Sequence, residues 1–491
     1  VAITNNLKKL VHRKVQEFCT PNPAGNANAG MFVVADESNM IPGHEQTYFF
    51  AGTSAIWNYN ADEDSWIQAP NSGIAGAFGV GACGDFRPLS APGGVFTQTA
   101  TAGTTTTITS NLTLTRNLKG RRIRVIGGAG VGLDTTIVSN TIGANSVITV
   151  AAAASTAMGS TTQYQIFAGS VWFFNSGTSA VGFAVFDIAT NVWTQRSVTG
   201  LPTSFGTSGQ LVATPGYSSN NGSSFVVSTS TGSNTTTTLL DSTKTWPTNG
   251  FTNSQVRITG GTGAGQIRTV SSNTATALTV SAAWTVTPDA TSTYAIEGND
   301  EYLYLLGNNA VTLYRFTVST NTWATMAPGS ARGGNMGAGG TADWIDSVAD
   351  SQWSDGVYRT NYSTQLKQLG RYFYCFRGGA SNALDIYDIA ANTWISSVPY
   401  GGQMEVFSTG TCSTDMDGVI YLMRDSTGRI HIFDIGAHEL KAFTLNYIPS
   451  GTPTDGDKVF IQTVQSGSDR LTYLYAFLSS RPELSRWIII K

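Results

Sequence analysis

The stretch FDIATNVWTQRS, residues 186–197, decides how the chain is read. It returns as YRFTVSTNTWATMAP at 314–328 and YDIAANTWISSVP at 387–399, and an earlier, looser copy reads WNYNADEDSWIQAP at 57–70. In each copy an alternating apolar run ends in a polar turn, and a tryptophan follows six residues after a fixed polar position. Asn60 precedes Trp66, Asp187 precedes Trp193, Thr317 precedes Trp323, and Asp388 precedes Trp394. That spacing fits a strand end, a tight turn and the first step of the return strand. The Asp or Asn is expected to cap the turn with its own side chain, and the Trp to fill the space between neighbouring sheets. A fifth copy, RIHIFDIGAHELKAF at 429–443, keeps Asp434 but places Leu440 at the Trp position.

A further strand precedes each copy: TYFFAG at 47–52, VWFFNS at 171–176, YLYLLG at 302–307, RYFYCFRGG at 371–379 and VIYLMRD at 419–425. Small-residue strands follow four of them: GVGACGD at 79–85, GQLVATP at 209–215, MGAGGTADW at 336–344 and STGTCSTDM at 408–416. Glycines and small side chains suit the innermost strand of a radial array, where sheets crowd a central channel. Each unit reads as four antiparallel strands, one propeller blade. DKVFIQTVQ at 457–465, LTYLYAFLS at 471–479 and RWIIIK at 486–491 supply three strands of a sixth. The segment around Phe18 parallels the copy around Trp66, so residues 15–20 are expected to complete that blade and MFVVAD to open the first. Joining the two ends removes an exposed edge. The count is six, with five or seven left open.

The motif Phe186 to Trp193 and Tyr387 to Trp394 resembles the kelch repeat of β-propeller proteins; the double glycine of that repeat stands only at Gly378 and Gly379. The fold expected is therefore all-β: a six-bladed kelch-like β-propeller closed by N- and C-terminal strands, with two inserted small all-β domains.

Six blades of about 45 residues use roughly 270 positions, and the chain has 491. The surplus lies in two blocks that match each other. RRIRVIGGAGVGLDTTIVSNTIGANSVITV at 121–150 parallels SQVRITGGTGAGQIRTVSSNTATALTV at 254–280, and each block starts with a Thr run, TTTTIT at 104–109 and TTTTLL at 235–240. The expected layout is propeller over 1–96, first insert over 97–168, propeller over 169–223, second insert over 224–297 and propeller over 298–491. Each insert falls between the inner and second strands of its blade, where chain ends stay close and no strand is broken. The second block resembles a module of tailed-bacteriophage virion proteins, carried by Asp241 to Trp246, Gly261 to Val270 and Trp284 to Tyr294. That resemblance implies a virion component assembled in the host cytoplasm. Its expected place is a tail nozzle or hub, acting as a rigid docking scaffold among other virion structural proteins, as a homo-oligomer in a symmetric ring. A capsid decoration or head fibre protein, or a receptor- and carbohydrate-binding virion protein, is the alternative.

Composition narrows the remaining classes. The 12% charged residues and the many Gly, Ser, Thr and Asn fit a turn-rich β protein, and 41% hydrophobic residues suffice for real cores. A net charge of −3 argues against a nucleic-acid coat, so no sequence-specific nucleic-acid binding is expected. No run of 18 apolar residues appears, and the N-terminus lacks an apolar signal core, so neither membrane insertion nor secretion is expected. Cys19, Cys83, Cys375 and Cys412 show no metal or disulfide spacing and read as buried thiols. His12, His44, His431 and His438 form no pair at ligand spacing, so no metal, cofactor or catalytic residue is assigned and the chain is not expected to be an enzyme. GGTGAGQ at 260–266 lacks the Lys-Ser/Thr and helix of a phosphate loop and reads as a hairpin turn. LKKLVHRK at 7–14 is a basic arm, either solvated or docking on an acidic or phosphate surface. The segment 344–362 places Asp346, Asp350 and Asp355 near Trp344 and Trp353. Carboxylates beside aromatics suit calcium, a host-surface glycan or glycoside cleavage; a solvated loop with its aromatics packed on the next sheet is the preferred reading.

Overall fold

A computed structural model describes residues 9–10, 17–18, 32–35, 46–50, 56–60, 63–70, 82–176, 181–203, 205, 209–214, 226–307, 310–337, 340–344, 371–402, 412–416, 419–423, 430–435, 438–443, 458–466, 469–477 and 484–490. Among the described residues there is no α-helix; a single 3-10 turn sits at Pro92–Gly94. The chain is all-β, with a propeller-like arrangement of antiparallel sheets and two curled ones.

Six sheets are meanders. Sheet 1 is built from Phe32–Ala35, Gln46–Phe50, Ile56–Asn60 and Ser65–Ala69, and sheet 2 from Cys83–Arg87, Ser170–Ser176, Val181–Asp187 and Val192–Gln195. Sheet 3 takes Gln210–Ala213, Tyr302–Leu306, Leu313–Thr317 and Thr322–Thr325; sheet 4 takes Thr341–Trp344, Tyr372–Phe376, Leu384–Asp388 and Thr393–Ile395. Sheet 5 comprises Cys412–Met416, Val419–Met423, Ile430–Asp434 and Glu439–Phe443, with Gly401–Gly402 parallel at its edge. Sheet 6 comprises Lys458–Ser466, Asp469–Phe477 and Leu484–Ile490. Its last strand pairs with Glu17–Phe18, Glu17 opposite Arg486 and Phe18 opposite Ser485. It also takes Lys9–Leu10 opposite Ile489 and Ile490, so part of the basic arm is a strand, which its charge pattern did not suggest.

Alternation of side chains along each strand gives every sheet two apolar faces, and the cores lie between sheets. Val171, Phe173, Ala184 and Phe186 of sheet 2 pack with Ile56 and Ala69 of sheet 1, while Trp172, Phe174, Phe183 and Val185 of the same strands pack with Leu303, Leu305 and Phe316 of sheet 3. Tyr304 and Leu306 then meet Phe373 and Tyr387 of sheet 4; Tyr374 and Ile386 meet Leu422 and Phe433 of sheet 5; Tyr421 and Ile432 meet Ile461 and Leu474 of sheet 6. Tyr475 of sheet 6 reaches Tyr59 of sheet 1 at 6.1 Å. The first strands touch in the same cyclic order, sheet 6 contacting sheet 1 as well as sheet 5.

Two more sheets lie between the first and second strands of sheets 2 and 3. The one over 98–167, module A, has seven strands; the one over 226–297, module B, has six. Each curls until the segment that follows its first strand, Gln98–Thr99 or Val226–Thr229, is bonded at both ends of the sheet. In module A, Ala100 N–H donates to Thr162 O at 2.9 Å and Thr101 N–H to Thr109 O at 2.8 Å; in module B, Ser230 donates to Ser292 O and Thr231 to Leu240 O, both at 2.9 Å. Bulges fall at matching places, between Val125 and Gly127 and between Ile258 and Gly260. GGTGAGQ turns between the strands Gln255–Gly260 and Ile267–Asn273. Its glycines at 261, 263 and 265 have φ of +71°, +80° and +87°, a left-handed backbone that glycine adopts without strain.

Candidate functional site

The tryptophan hairpins are the most repeated feature, and their register explains the six-residue spacing. Each Trp lies opposite the aromatic or apolar residue just before the polar position: Tyr59 faces Trp66, Phe186 faces Trp193, Phe316 faces Trp323 and Tyr387 faces Trp394. The paired rings sit 4.9 to 5.1 Å apart. Asn60 Oδ1 accepts from Glu63 N–H at 3.3 Å, Asp187 from Thr190 N–H at 2.9 Å, and Asp388 from Ala391 N–H at 3.0 Å, each closing its own turn. The indole then points back to the preceding sheet. Trp193 N–H donates to Pro70 O at 2.7 Å and Trp323 N–H to Ser197 O at 2.9 Å. Trp66 is half-buried, whereas the other three are buried. Leu440, the fifth counterpart, packs against sheet 4 residues.

One element of this hairpin escaped the sequence reading. The residue two before each Trp or Leu is left-handed: Asp64 at φ +47°, Asn191 at +59°, Asn321 at +55°, Asn392 at +50° and His438 at +54°. Asn tolerates that conformation better than most residues, and its recurrence at 191, 321 and 392 was the available signal.

In the candidate ligand segment, Trp344 ends the first strand of sheet 4 opposite Phe373 and is buried with Phe373 and Trp394. Its ring is therefore core rather than an open stacking face. Asp346, Asp350, Trp353 and Asp355 lie outside the described residues. His431 and His438 are both buried, and burial pulls the His438 imidazole below its ordinary range. Cys83 and Cys375 are buried, and burial pushes the Cys375 thiol up to about 11, away from the reactive thiolate. Among the described residues no group of three His, Cys, Asp or Glu could hold a metal ion.

Three carboxylate clusters are more developed. Asp85, on the first strand of sheet 2, accepts from Phe86 N–H at 2.8 Å and from Ala213 N–H at 2.5 Å, tying the first strands of sheets 2 and 3. Burial, with Asp343 of sheet 4 adding repulsion, pushes its carboxyl up to about 7 against the two amide donors and Arg87. The folded chain then holds a proton between about pH 4 and 7 that the unfolded chain releases. Stability falls as pH rises through that window. Asp85→Asn keeps an acceptor and removes the titration, so its urea midpoint should drop less than the parent's between pH 4.5 and 7.5; equal drops would exclude this role.

The second cluster is Asp241 in module B. It accepts from Thr243 N–H at 3.1 Å, Thr243 Oγ1–H at 2.5 Å, Ser228 Oγ–H at 2.7 Å and Tyr294 O–H at 2.7 Å. Burial raises this carboxyl, and the donors outweigh burial to leave it at about 2. Module A places Ser110 there, bonded to Tyr164 at 2.5 Å. Asp241, Trp246, Trp284 and Tyr294, which define the module's sequence pattern, thus build its core.

The third cluster joins the modules. Glu297 of module B meets Arg257 at 2.8 Å and Arg124 of module A at 3.4 Å, and Arg257 meets Asp134 of module A at 3.6 Å.

No family model matches the chain, and no curated protein matches it. Among solved structures, a chain of a mitotic checkpoint complex crystal structure aligns over 97% of this chain and 95% of its own, at 9% identity and a TM-score of 0.34. A superposition that loose carries no argument. The residues above are organised for packing and joining: buried carboxylates with backbone and hydroxyl donors, rings between sheets, and ion pairs between modules.

Proposed function

We propose that the chain is a structural component of a tailed-bacteriophage virion. It is a six-bladed kelch-like β-propeller bearing two inserted β modules, placed at the tail as a nozzle or hub, where it docks neighbouring subunits in a symmetric homo-oligomeric ring. The observation that carries the reading is the resemblance of Asp241 to Trp246, Gly261 to Val270 and Trp284 to Tyr294 to a virion module. The cyclic contact order of the six first strands supports the ring, and the pairing of Glu17–Phe18 with Leu484–Ile490 supports its closure. Sheets packed face to face all round a ring resist deformation, which suits a part that bears load between subunits. The reading assigns no catalytic step and no cofactor.

The test is immunogold labelling of virions whose genome encodes the chain, with native mass spectrometry of the purified protein. Label confined to the tail end and a closed oligomer are expected. Label on the head moves the chain to a decoration role, and unlabelled particles end the virion reading.

A further inference from the structure

We infer that modules A and B form one rigid, pseudo-symmetric pair latched by Glu297, rather than two independent appendages. The pairing does not depend on where the chain works.

The duplication makes equivalent positions easy to name. Arg124 corresponds to Arg257, Gly132 to Gly265, Val131 to Ala264, and Phe167 to Glu297. The two glycine turns face each other. A methyl group at Gly132 would lie 3.3 Å from the Ala264 methyl, and one at Gly265 would fall on the Val131 side chain and 2.9 Å from the Ile126 carbonyl oxygen. Each turn's last glycine therefore abuts the residue before the equivalent glycine of the other turn. This exchange of partners is the mark of a local two-fold, the geometry of an isologous interface. The missing side chains let the backbones approach this closely.

The charges break that symmetry. In module A the position of Glu297 is Phe167, whose ring lies under Arg122 at 5.2 Å and Arg124 at 5.1 Å. Arg124 is thus held between its own module's aromatic face and the other module's carboxylate, with Gln165 accepting from its Nε at 2.7 Å. Arg257 bridges Glu297 and Asp134, and Asp134 in turn takes Arg122, whose Nε donates at 2.5 Å. Side chains of Arg124 and Glu297 are only 2% and 1% exposed. One carboxylate therefore neutralises two buried guanidiniums from two modules, and its removal takes away the Arg124 ion pair and leaves Arg257 with Asp134 alone.

The experiment measures the distance between spin labels at Ile142→Cys in module A and Val227→Cys in module B, both highly exposed positions. It uses the full chain with its four natural cysteines replaced by alanine. One narrow distance distribution is expected for the parent, and a distribution at least twice as wide in Glu297→Gln. Arg124→Met, which reaches the latch from the other module, should broaden it likewise. Distributions as narrow as the parent's in both variants overturn the latch. So does a Glu297→Gln chain that loses module B's own fold while Arg124→Met stays narrow, because Glu297 would then serve its module alone.

Discussion

Asp187→Ala is expected to destabilise the chain by about 2 kcal/mol or more, read as a lower urea midpoint with an unchanged slope. Asp187 is 1% exposed, and its carboxylate collects donors from two directions. Oδ1 accepts from Thr190 N–H at 2.9 Å and Thr190 Oγ1–H at 2.7 Å, closing the hairpin before Trp193. Oδ2 accepts from Ala91 N–H at 2.6 Å and from the Ser90 hydroxyl, which lie on the segment leaving the first strand of sheet 2 for module A. Hydroxyls can turn to other acceptors, but the two amides cannot, and a buried unsatisfied amide costs roughly 1–3 kcal/mol. The damage should spread beyond the hairpin. Ala189 O, inside the same turn, accepts Thr115 N–H of module A at 3.0 Å, so amide exchange at Thr115 should speed up together with that at Thr190. Asp187→Asn keeps one acceptor and should fall between parent and alanine. A loss below about 1 kcal/mol for Asp187→Ala would show that the carboxylate is a bystander to turn closure.

Local periodicity reached far into this fold. The six-residue spacing identified the hairpins because a two-strand register converts a fixed separation into a fixed cross-strand pair, as at Phe186 and Trp193. The parallel between the segments around Phe18 and Trp66 pointed to the strand that now lies on Leu484–Ile490. What stayed hidden depends on non-local contact. Glu297 and Arg124 are 173 residues apart, and the equivalent of Glu297 in the other module is an aromatic, so aligning the duplicates conceals the ion pair. Lys9–Leu10 carries no alternating pattern of its own and takes strand form from its partner. The left-handed residue two before each Trp, or before Leu440, was visible as a recurring Asn but concealed where Asp64 and His438 replace it. The aspartates chosen in 344–362 lie outside the described residues; of the carboxylate clusters that the structure displays, Asp241 stood in a motif, whereas Asp85 and Glu297 are set by contacts between sheets and between modules.

The tryptophans allow the wedge to be separated from the hydrogen bond. Trp323→Ala should cost about 3–5 kcal/mol, because a large buried ring leaves a cavity that neighbouring sheets cannot fully close. Phe183 of sheet 2 packs edge-on to it at 4.9 Å and Phe316 of its own sheet at 5.1 Å, so the void would open in the joint between sheets 2 and 3. Trp323→Phe fills most of that space but deprives Ser197 O of its donor, which should cost roughly a further 1 kcal/mol beyond lost packing. Trp394 is the internal control. Its ring lies 5.1 Å from Tyr387 and 5.7 Å from Phe373, both of its own sheet, with the Arg332 guanidinium 5.5 Å from its centroid, and among the described residues its buried indole N–H has no acceptor. The carbonyl of Ala327, four residues after Trp323 as Ser197 is after Trp193, accepts from Asn392 Nδ2 at 3.1 Å instead. Trp394→Phe therefore removes an unsatisfied buried donor along with the extra ring, and its cost should be clearly smaller than that of Trp323→Phe. Equal costs for the two Trp→Phe variants, measured by urea unfolding in the full chain, would mean that the indole N–H contributes nothing at the joint. An Ala variant at Trp323 within about 1 kcal/mol of the parent would mean that the ring is not the wedge between these sheets.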